Sequence, residues 1–335
     1  MTDPAARRPG TVPRPLLVVG DAFADLSARV PRFPDEGTDA QVGRVRWSSG
    51  GSATNVAVTV AALGGEVRLL ARVGDDPAAE VALRAARQAG VDLSLVQRDP
   101  VEPTGLCFVV VSPGGERTFF SARGANANLA MPGDAVGLLD GLGGLHLSGY
   151  GLLEGSHRET ALALVESAAR RGLASSLDLC LPLVEAHRDE LLGLLPRIGV
   201  VFGNEREACA LAGAPAASAA EGLVARGAPV VVVKGGGAGC RIASSGGALD
   251  VPGVAVAAVD TTGCGDAFVA GFLHALSRGA AFPLCGALGN VLGALAATRP
   301  GSGDALPGRE AIRSFLSEAA PALLPLLSPG PTTAT

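Results

Sequence analysis

The segment of the sequence that carries the most chemistry is 260–268, which reads DTTGCGDAF. It follows an apolar run and opens a helical pattern, and Gly263 and Gly265 leave the backbone free to turn its N–H groups outward. Unpaired N–H groups at a helix start, at the positive end of the helix dipole, predict an anion site. Asp266 lies in the first turn of that helix. Residue types alone leave two interpretations open: it complements the dipole, or it is a general base that takes a proton from an attacking hydroxyl.

Two further glycine-rich turns accompany strand and helix patterns. Segment 50–55, GGSATN, leads into a helical run of Val and Ala and carries the polar amide of Asn55. Segment 234–239, KGGGAG, follows the apolar run 230–233 and fits neither the P-loop nor the G-x-G-x-x-G spacing. It begins at Lys234, the only lysine among 27 basic residues. Each turn alone is typical of an ordinary tight turn. Three at strand ends predict one ligand site, because ligands of α/β proteins bind outside the carboxyl ends of strands.

The elements that must position these turns alternate along the chain. Continuous apolar runs, typical of strands buried on both faces, lie at 15–20, 67–73, 144–148, 173–179, 199–202 and 229–234. Helical patterns lie between them at 52–63, 77–89, 156–171, 204–212 and 218–226. This alternation predicts an α/β fold with a doubly wound, mostly parallel sheet flanked by helices.

Two segments, at about 26–48 and 104–122, break the alternation. They hold strand patterns at 41–47, 106–111 and 118–121, and the last two flank a Pro-Gly-Gly turn, which is a hairpin signal. We therefore expect a small antiparallel β-sheet that stands off the core as a lid. The whole of 16–327 is expected to form a single domain, with residues 1–15 and 328–335 as disordered tails.

The composition bears on partners and compartment. The chain has 335 residues, 48% hydrophobic and 18% charged, so it can bury a sizeable core. Its net charge of −5 gives no electrostatic case for binding nucleic acid. The uncharged stretch 279–298 is long enough to span a bilayer, but its glycines, proline and asparagine favour packing inside a protein, so no membrane partner is expected. Six scattered cysteines without a C-x-x-C pair favour a reducing, cytoplasmic location.

At these residues the sequence resembles the ribokinase-like, or PfkB-type, carbohydrate kinases. Segment 260–272, DTTGCGDAFVAGF, is similar to the closing signature of that family, with Cys264 where Ala is usual. Segment 50–64 is similar to its N-terminal signature. Shorter family-like pieces follow the order of the family at 20–25, 73–76, 124–126, 204–207 and 298–301. The resemblance covers about residues 16–316 and implies a ribokinase-like fold.

The resemblance implies transfer of a phosphoryl group from ATP to a hydroxymethyl group of a sugar or nucleoside. Asp266 would then be the catalytic base on the acceptor hydroxyl. The backbone N–H groups of Gly263, Cys264 and Gly265 would hold the charge that develops on the transferred phosphoryl group, which is the electrostatic contribution that dominates such transfers.

The resemblance also implies how nucleotide and magnesium are held. Asn204 and Glu207 match the family's N-x-x-E motif, which positions hydrated Mg²⁺ and the phosphates, and Mg²⁺ keeps several of its waters in such sites. A solvated helix residue is the alternative interpretation of Glu207. The nucleotide would be lined by Lys234, Gly236 and Gly239.

Two further features of the resemblance concern the purine and a monovalent cation. Asn290 lies where the family contacts the purine, and a buried asparagine in a core helix is the rival interpretation. A site for potassium is implied by the side chains of Asp260 and Thr262 with the backbone carbonyls near Ala296, Arg299 and Gly301. Ala305 stands where a serine hydroxyl would complete that site, which argues against activation by potassium.

On the acceptor side, Asp25, Gly51 and Asn55 match the sugar-hydroxyl ligands of the family. Carboxylates and amides suit a diol, which presents both donors and acceptors. Ribokinases proper tend to carry Asn at the position of Phe23, and an aromatic ring there could stack on a base or a sugar face. Arg123 could meet the carboxylate of an acidic sugar, and an ordinary surface arginine is the alternative.

Three hypotheses follow for the function: a sugar kinase, a nucleoside kinase of the same family, and a non-catalytic sugar-binding or regulatory protein. The intact Asp266 and its glycine turn favour the first two. Lids in this family often pair between two subunits, so the resemblance also implies a homodimer.

Overall fold

The computed structural model describes residues 14–114 and 117–327. The strands are β1 (Leu16–Val19), β2 (Phe23–Arg29), β3 (Val45–Gly50), β4 (Val67–Leu70), β5 (Arg72–Gly74), β6 (Gln97–Asp99), β7 (Gly105–Val111), β8 (Arg117–Ala122), β9 (Gly144–Ser148), β10 (Ser175–Asp178), β11 (Val200–Asn204), β12 (Val230–Lys234), β13 (Gly239–Ser244) and β14 (Gly247–Pro252). The helices are α1 (Ser52–Ala62), α2 (Pro77–Ala89), α3 (Ala135–Leu138), α4 (Gly155–Arg171), α5 (Leu181–Leu194), α6 (Glu205–Ala212), α7 (Ala216–Ala225), α8 (Cys264–Ser277), α9 (Phe282–Ala297) and α10 (Arg309–Ala319). The predicted tails, apart from residues 14 and 15, lie outside the described residues, as does the third residue of the predicted 113–115 turn.

The large sheet has eight strands in the order β14-β13-β12-β11-β10-β9-β1-β4. The six strands from β12 to β4 run parallel, and β13 and β14 add an antiparallel hairpin at one edge. Side chains of β1 alternate between two cores: Val18 packs on one face of the sheet, and Leu17 and Val19 pack on the other. Both faces are therefore covered, which confirms the predicted doubly wound α/β fold.

The small sheet has four strands in the order β3-β2-β7-β8. Its two outer pairs are antiparallel and its central pair, β2 with β7, is parallel. The strand predicted at 41–47 begins only at Val45 and continues to Gly50, because pairing with β2 starts where Val45 meets Ala28. The strands of the small sheet come from the two predicted segments, except that β2 already begins at Phe23, before the first of them.

The helices lie close to the bounds predicted from the sequence. The predicted helices appear as α1, α2, α4, α6 and α7, and stretch 279–298 forms α9, which packs against α8. In the described part of the chain, no single helix has both the length and the apolar composition needed to cross a membrane, although the bent pair α6 and α7 passes that test jointly. The apolar run 254–259 is not a strand, so only the turn at 234–239 follows a strand of the large sheet.

Candidate active site

The loop before α8 is built to present backbone N–H groups. Gly263 caps α8 with φ +76°, a left-handed conformation that favours glycine. The carboxylate of Asp260 braces the loop by accepting from the N–H groups of Thr262 at 2.7 Å and Gly301 at 2.8 Å. Within the described residues the N–H groups of Gly263 and Gly265 have no hydrogen-bond acceptor, whereas that of Cys264 donates to the Thr261 carbonyl at 3.3 Å. Two of the three predicted anion-binding N–H groups are therefore free to bind a ligand.

Asp266 joins the two glycine-rich turns that the sequence predicted to meet. Its Oδ1 accepts from the Ser52 hydroxyl and its Oδ2 from the Asn55 amide, both at 2.7 Å. The Asn55 Oδ1 in turn accepts from the Gly303 N–H at 3.1 Å, which orients the amide so that it can donate to the carboxylate. Burial raises the pKa of Asp266 to about 6. The hydrogen bonds from Asn55 and Ser52 and the positive charge of Lys234 favour the charged form and limit this rise. The carboxylate is thus fixed, oriented and mostly ionised at neutral pH.

Lys234 lies below the anion loop, at the edge of a surface pocket that Asn204 and Gly235 also line. Its Nζ is 2.6 Å from the Asp178 carboxylate at the end of β10. Burial disfavours the ammonium, but the carboxylates of Asp178, Glu207 and Asp266 more than compensate, and the pKa of Lys234 is raised above its usual value. A Cβ on Gly265 would stand 3.4 Å from Nζ, so the glycine lets the lysine approach the loop closely.

Asp178 is a site residue that sequence reasoning missed. It ends the predicted strand 173–179, and it is a carboxylate at the carboxyl end of an otherwise buried run. A buried charge at that position is the signal that could have found it, because polar groups at the carboxyl ends of parallel strands face the ligand crevice. No sequence pattern connects it to Lys234, 56 residues away.

The N-x-x-E motif forms a reciprocal cap at the start of α6. The Asn204 side chain accepts from the Glu207 N–H at 2.9 Å, and the Glu207 carboxylate accepts from the Asn204 N–H at 2.8 Å. Glu207 is buried, and burial raises its pKa. The interpretation as a solvated helix residue is therefore wrong. No group of three or more His, Cys, Asp or Glu in the described part of the chain could hold a metal ion directly, so a hydrated Mg²⁺ beside one carboxylate is the mode that fits these residues.

The remaining nucleotide-site predictions lie around β13 and α9. Gly236 is exposed in the turn after β12, and Gly239 starts β13 with φ +102°. Asn290 is buried on α9, where its amide donates to the Val251 and Pro252 carbonyls at 3.1 and 3.0 Å. Its amide therefore anchors the end of β14, as the rival interpretation of a buried core asparagine held.

Asp25 lies on β2 of the small sheet and faces the same site. It is 8% exposed, and its nearest donor is the Ser302 hydroxyl at 3.3 Å. Burial, supplemented by repulsion from Asp266, raises the pKa of Asp25 to about 7. Gly51 stands behind this region with φ +95°, and a Cβ there would collide with the Asp21 carbonyl.

Two residues predicted to bind the acceptor have side chains that already contact other parts of the protein. The Arg123 guanidinium grips the Asp21 carboxylate through two hydrogen bonds of 3.2 and 2.8 Å and is only 12% exposed, so it is not an ordinary surface arginine. The Phe23 ring packs against Gly105, where a Cβ would stand 2.9 Å from Cε1. Both side chains stabilise the base of the small sheet.

The residues predicted to bind a monovalent cation lie around one turn, and the positively charged side chain of an arginine contacts one of them. The Arg117 guanidinium, from β8, lies 2.8 Å from the Asp260 carboxylate, and both side chains are largely buried. The Ala296 carbonyl accepts from the Arg299 N–H at 3.1 Å. Arg117 thus ties the small sheet to the loop before α8.

Comparisons with known proteins show the family of this chain. Residues 14–309 match the family model described as pfkB family carbohydrate kinase. The chain belongs to the PfkB family of carbohydrate kinases. It is an ATP-dependent carbohydrate kinase, and its substrate class is that of sugar or nucleoside kinases.

Relatives of this PfkB kinase cover nearly its whole length. The chain is 31% identical to the ATP-dependent ribose-1-phosphate kinase of Halopiger xanaduensis, over 90% of this chain and 98% of the relative. It is 33% identical to a fructokinase of Klebsiella pneumoniae, over 90% and 99%. Among solved structures, Arabidopsis thaliana ribokinase in complex with ribose and ATP superposes with a TM-score of 0.79 at 25% identity, over 90% of this chain and 98% of that one.

Proposed function

We propose that this PfkB kinase transfers the γ-phosphoryl group of ATP to a hydroxymethyl group of a sugar, with Asp266 as the general base. The observation that carries the proposal is the carboxylate of Asp266, held by Ser52 and Asn55 beside the free N–H groups of Gly263 and Gly265. A pKa of about 6 leaves it ionised at pH 7 yet close enough to neutrality to accept a proton efficiently.

The charge of the transferred group meets a complementary set of donors. The N–H groups of Gly263 and Gly265, with that of Cys264 if it exchanges its Thr261 partner for the ligand, face the developing charge. Lys234 adds a buried positive charge below them. Bound Mg²⁺ neutralises phosphate charge in such transfers, and Glu207 and Asn204 are the residues we propose to hold its water shell.

The nucleotide and acceptor sides are proposed to lie on opposite sides of Asp266. The exposed turn with Gly236 and Gly239 would carry ATP, and the Oδ1 of Asn290 would face its purine. Asp25, Gly51 and Asn55 would bind sugar hydroxyls. The small sheet would close over them as a lid, which excludes water that would otherwise hydrolyse ATP.

A sugar acceptor is favoured over a nucleoside. The ribose-1-phosphate kinase and fructokinase relatives act, by name, on sugars, and the ribokinase neighbour binds ribose. Phe23 packs on Gly105, so stacking on a base would require its ring to leave that contact. Membership of a kinase family favours a sugar kinase and a nucleoside kinase alike over a non-catalytic protein.

A homodimer through the small sheet is also proposed. Trp47, Phe108 and Phe120 lie in one row across the sheet, on the face opposite Asp25, and are 47%, 47% and 55% exposed. Three large apolar side chains in a row fit a second copy of the same sheet. Sedimentation should give a dimer, and Phe108→Asp should give a monomer; a monomeric parent protein would contradict the proposal.

A cytoplasmic location and the absence of nucleic-acid and membrane partners remain part of the proposal. All six cysteines are described and free, and four are buried, which suits a reducing compartment. Fractionation of the source cells with an antibody against the protein would test the location, and recovery outside the cytoplasm would contradict it.

Replacement of Asp266 tests the catalytic proposal. We expect Asp266→Asn to lower kcat for ADP release at least 1000-fold, because the amide cannot take the proton, while calorimetry gives an unchanged Kd for ATP. Asp250→Asn is the matched control, since Asp250 pairs with Arg241 at the far edge of the large sheet. Turnover that survives in Asp266→Asn would show that the base is another residue.

A further inference from the structure

A cleft of about 470 Å³ separates the small sheet from the loops around Asp260 and Ser302. Asp25 is one of the residues that line this cleft, so we assign the cleft to the acceptor side of the proposed site. Its described lining holds five arginines against three aspartates: Arg29, Arg44, Arg46, Arg84 and Arg117 with Asp25, Asp260 and Asp304. The chain as a whole carries a net charge of −5, so this excess of positive charge is local.

Two of these arginines form ion pairs with aspartates of the same lining. Arg84 lies 2.7 Å from Asp304, and Arg117 lies 2.8 Å from Asp260. The third aspartate, Asp25, has a serine hydroxyl and no arginine as its described partner.

The other three arginines have no acidic partner among the residues that the structure describes. Arg29, Arg44 and Arg46 are exposed in the cleft and make no ion pair with any residue of the described chain. A guanidinium presents five donors and no acceptor, so three of them together suit an anion better than a neutral diol.

The register of the small sheet places two of these arginines relative to Asp25. Alternate residues of β2 share a face, so Asp25, Ser27 and Arg29 point the same way, and Arg46 lies opposite Ser27. At about 3.3 Å per residue, Arg46 lies about 7 Å and Arg29 about 13 Å along the strand from Asp25. The first distance is comparable with the length of a pentose.

We propose that the acceptor is a sugar with an anionic group, a phosphate or a carboxylate, at the end remote from the hydroxyl that is phosphorylated. The inference rests on the proposed function and names its substrate class. Asp25 and Asn55 bind the hydroxyls in the middle of the acceptor, and Arg46, with Arg29 and Arg44, receives its anion. Arginine pairs with phosphate and carboxylate through two parallel hydrogen bonds, which adds orientation to attraction.

The nucleotide does not account for these arginines. The turn proposed for ATP follows β12 of the large sheet, whereas Arg29 and Arg46 lie on β2 and β3 of the small sheet. They stand on the side of Asp25, where the acceptor lies.

Matched acceptor pairs test the inference by turnover. We expect kcat/KM to be at least 100-fold higher for ribose 1-phosphate than for ribose, or for gluconate than for glucose, and the pair that responds identifies the anion. Arg46→Ala should lower this preference at least 10-fold, and Arg46→Lys should restore part of it, since the charge returns without the fork. Arg313→Ala, an exposed arginine on α10, is the control and should leave both rates unchanged. Equal kcat/KM values within each pair, or a preference for a neutral sugar or nucleoside, would overturn the inference and leave the kinase proposal intact.

Binding separates this inference from the proposed chemistry. Calorimetry on Asp266→Asn should give at least 10-fold tighter binding of the anionic member of one pair, with an affinity that falls as NaCl is raised. If the anion binds in this way but the parent enzyme phosphorylates no acceptor, the proposed function fails and the anion site stands. Equal affinity for both members of both pairs overturns the anion site.

Discussion

The burial of Asp25 predicts that stability depends on pH, because few hydrogen bonds or positive charges offset the cost of burying its carboxylate. It is 8% exposed, its one described donor is Ser302 at 3.3 Å, and Asp266 repels it. Burial therefore raises its pKa from 3.8 to about 7 in the folded protein, whereas the unfolded chain restores the ordinary value. Between these two pH values the folded state holds a proton that the unfolded state has released.

Because the folded state binds the extra proton, the contribution of Asp25 to the unfolding free energy falls as pH rises from about 4 to about 7. At about 1.4 kcal/mol for each tenfold difference in proton affinity, the loss reaches about 4 kcal/mol by pH 8, and more than half of it falls between pH 5 and 8. Asp25→Asn keeps the shape of the side chain and removes the charge, so it should remove this loss.

Urea unfolding of the parent protein and of Asp25→Asn at pH 5, 6, 7 and 8 measures the effect. The unfolding free energy of the variant relative to the parent should grow by about 3 kcal/mol across that range. Its KM for the acceptor should rise because a proposed hydroxyl ligand is altered. Asp304→Asn is the matched control, because Asp304 lies in the same cleft. Burial favours its neutral form, but hydrogen bonds from Arg84 and the Ser49 N–H outweigh burial and hold its pKa below the usual value, so this variant should lose stability at pH 7. If the unfolding free energies of the parent and of Asp25→Asn change in parallel from pH 5 to 8, Asp25 does not carry the buried charge that this prediction requires.

The remaining predictions concern three other contacts. Lys234→Arg should raise the KM for ATP more than that for the acceptor, since a wide guanidinium does not fit beside Gly265; equal changes in initial-rate measurements would contradict this. Asn204→Ala should lower the unfolding free energy by about 1 kcal/mol in urea, as the loss of a helix cap does, and an unchanged midpoint would show that the cap adds nothing. Arg117→Ala frees Asp260 from the small sheet, so ADP release without acceptor should rise several-fold; an unchanged rate would argue against closure through this ion pair.

Much of the site could be predicted from sequence because its parts are local. The reciprocal cap of Asn204 and Glu207 depends on residues three positions apart, so their spacing in the sequence already describes its geometry. The glycine turn before α8 is also visible in the sequence, although the hydrogen bond from Gly301 that braces it is not. The burial of Glu207 could not be predicted in the same way, because it depends on which residues pack over α6. The β13–β14 hairpin was missed since its short strands carry little apolar signal, and its place in the sheet depends on β13 pairing with the edge of β12.

The sequence by itself determined the alternation of strands and helices, the glycine turns and the family, and it singled out Asp266 as the residue we propose as the base. Only the tertiary structure decided how charges are shared: Lys234 with Asp178, Arg123 with Asp21, and Asp25 left without a cation. It also decided that Arg29, Arg44 and Arg46, which have no acidic partner in the described part of the chain, line the cleft beside Asp25. The physical reason is that a charge acts through its distance to other charges and to water, and both are set by chain segments that meet only after the two sheets have packed.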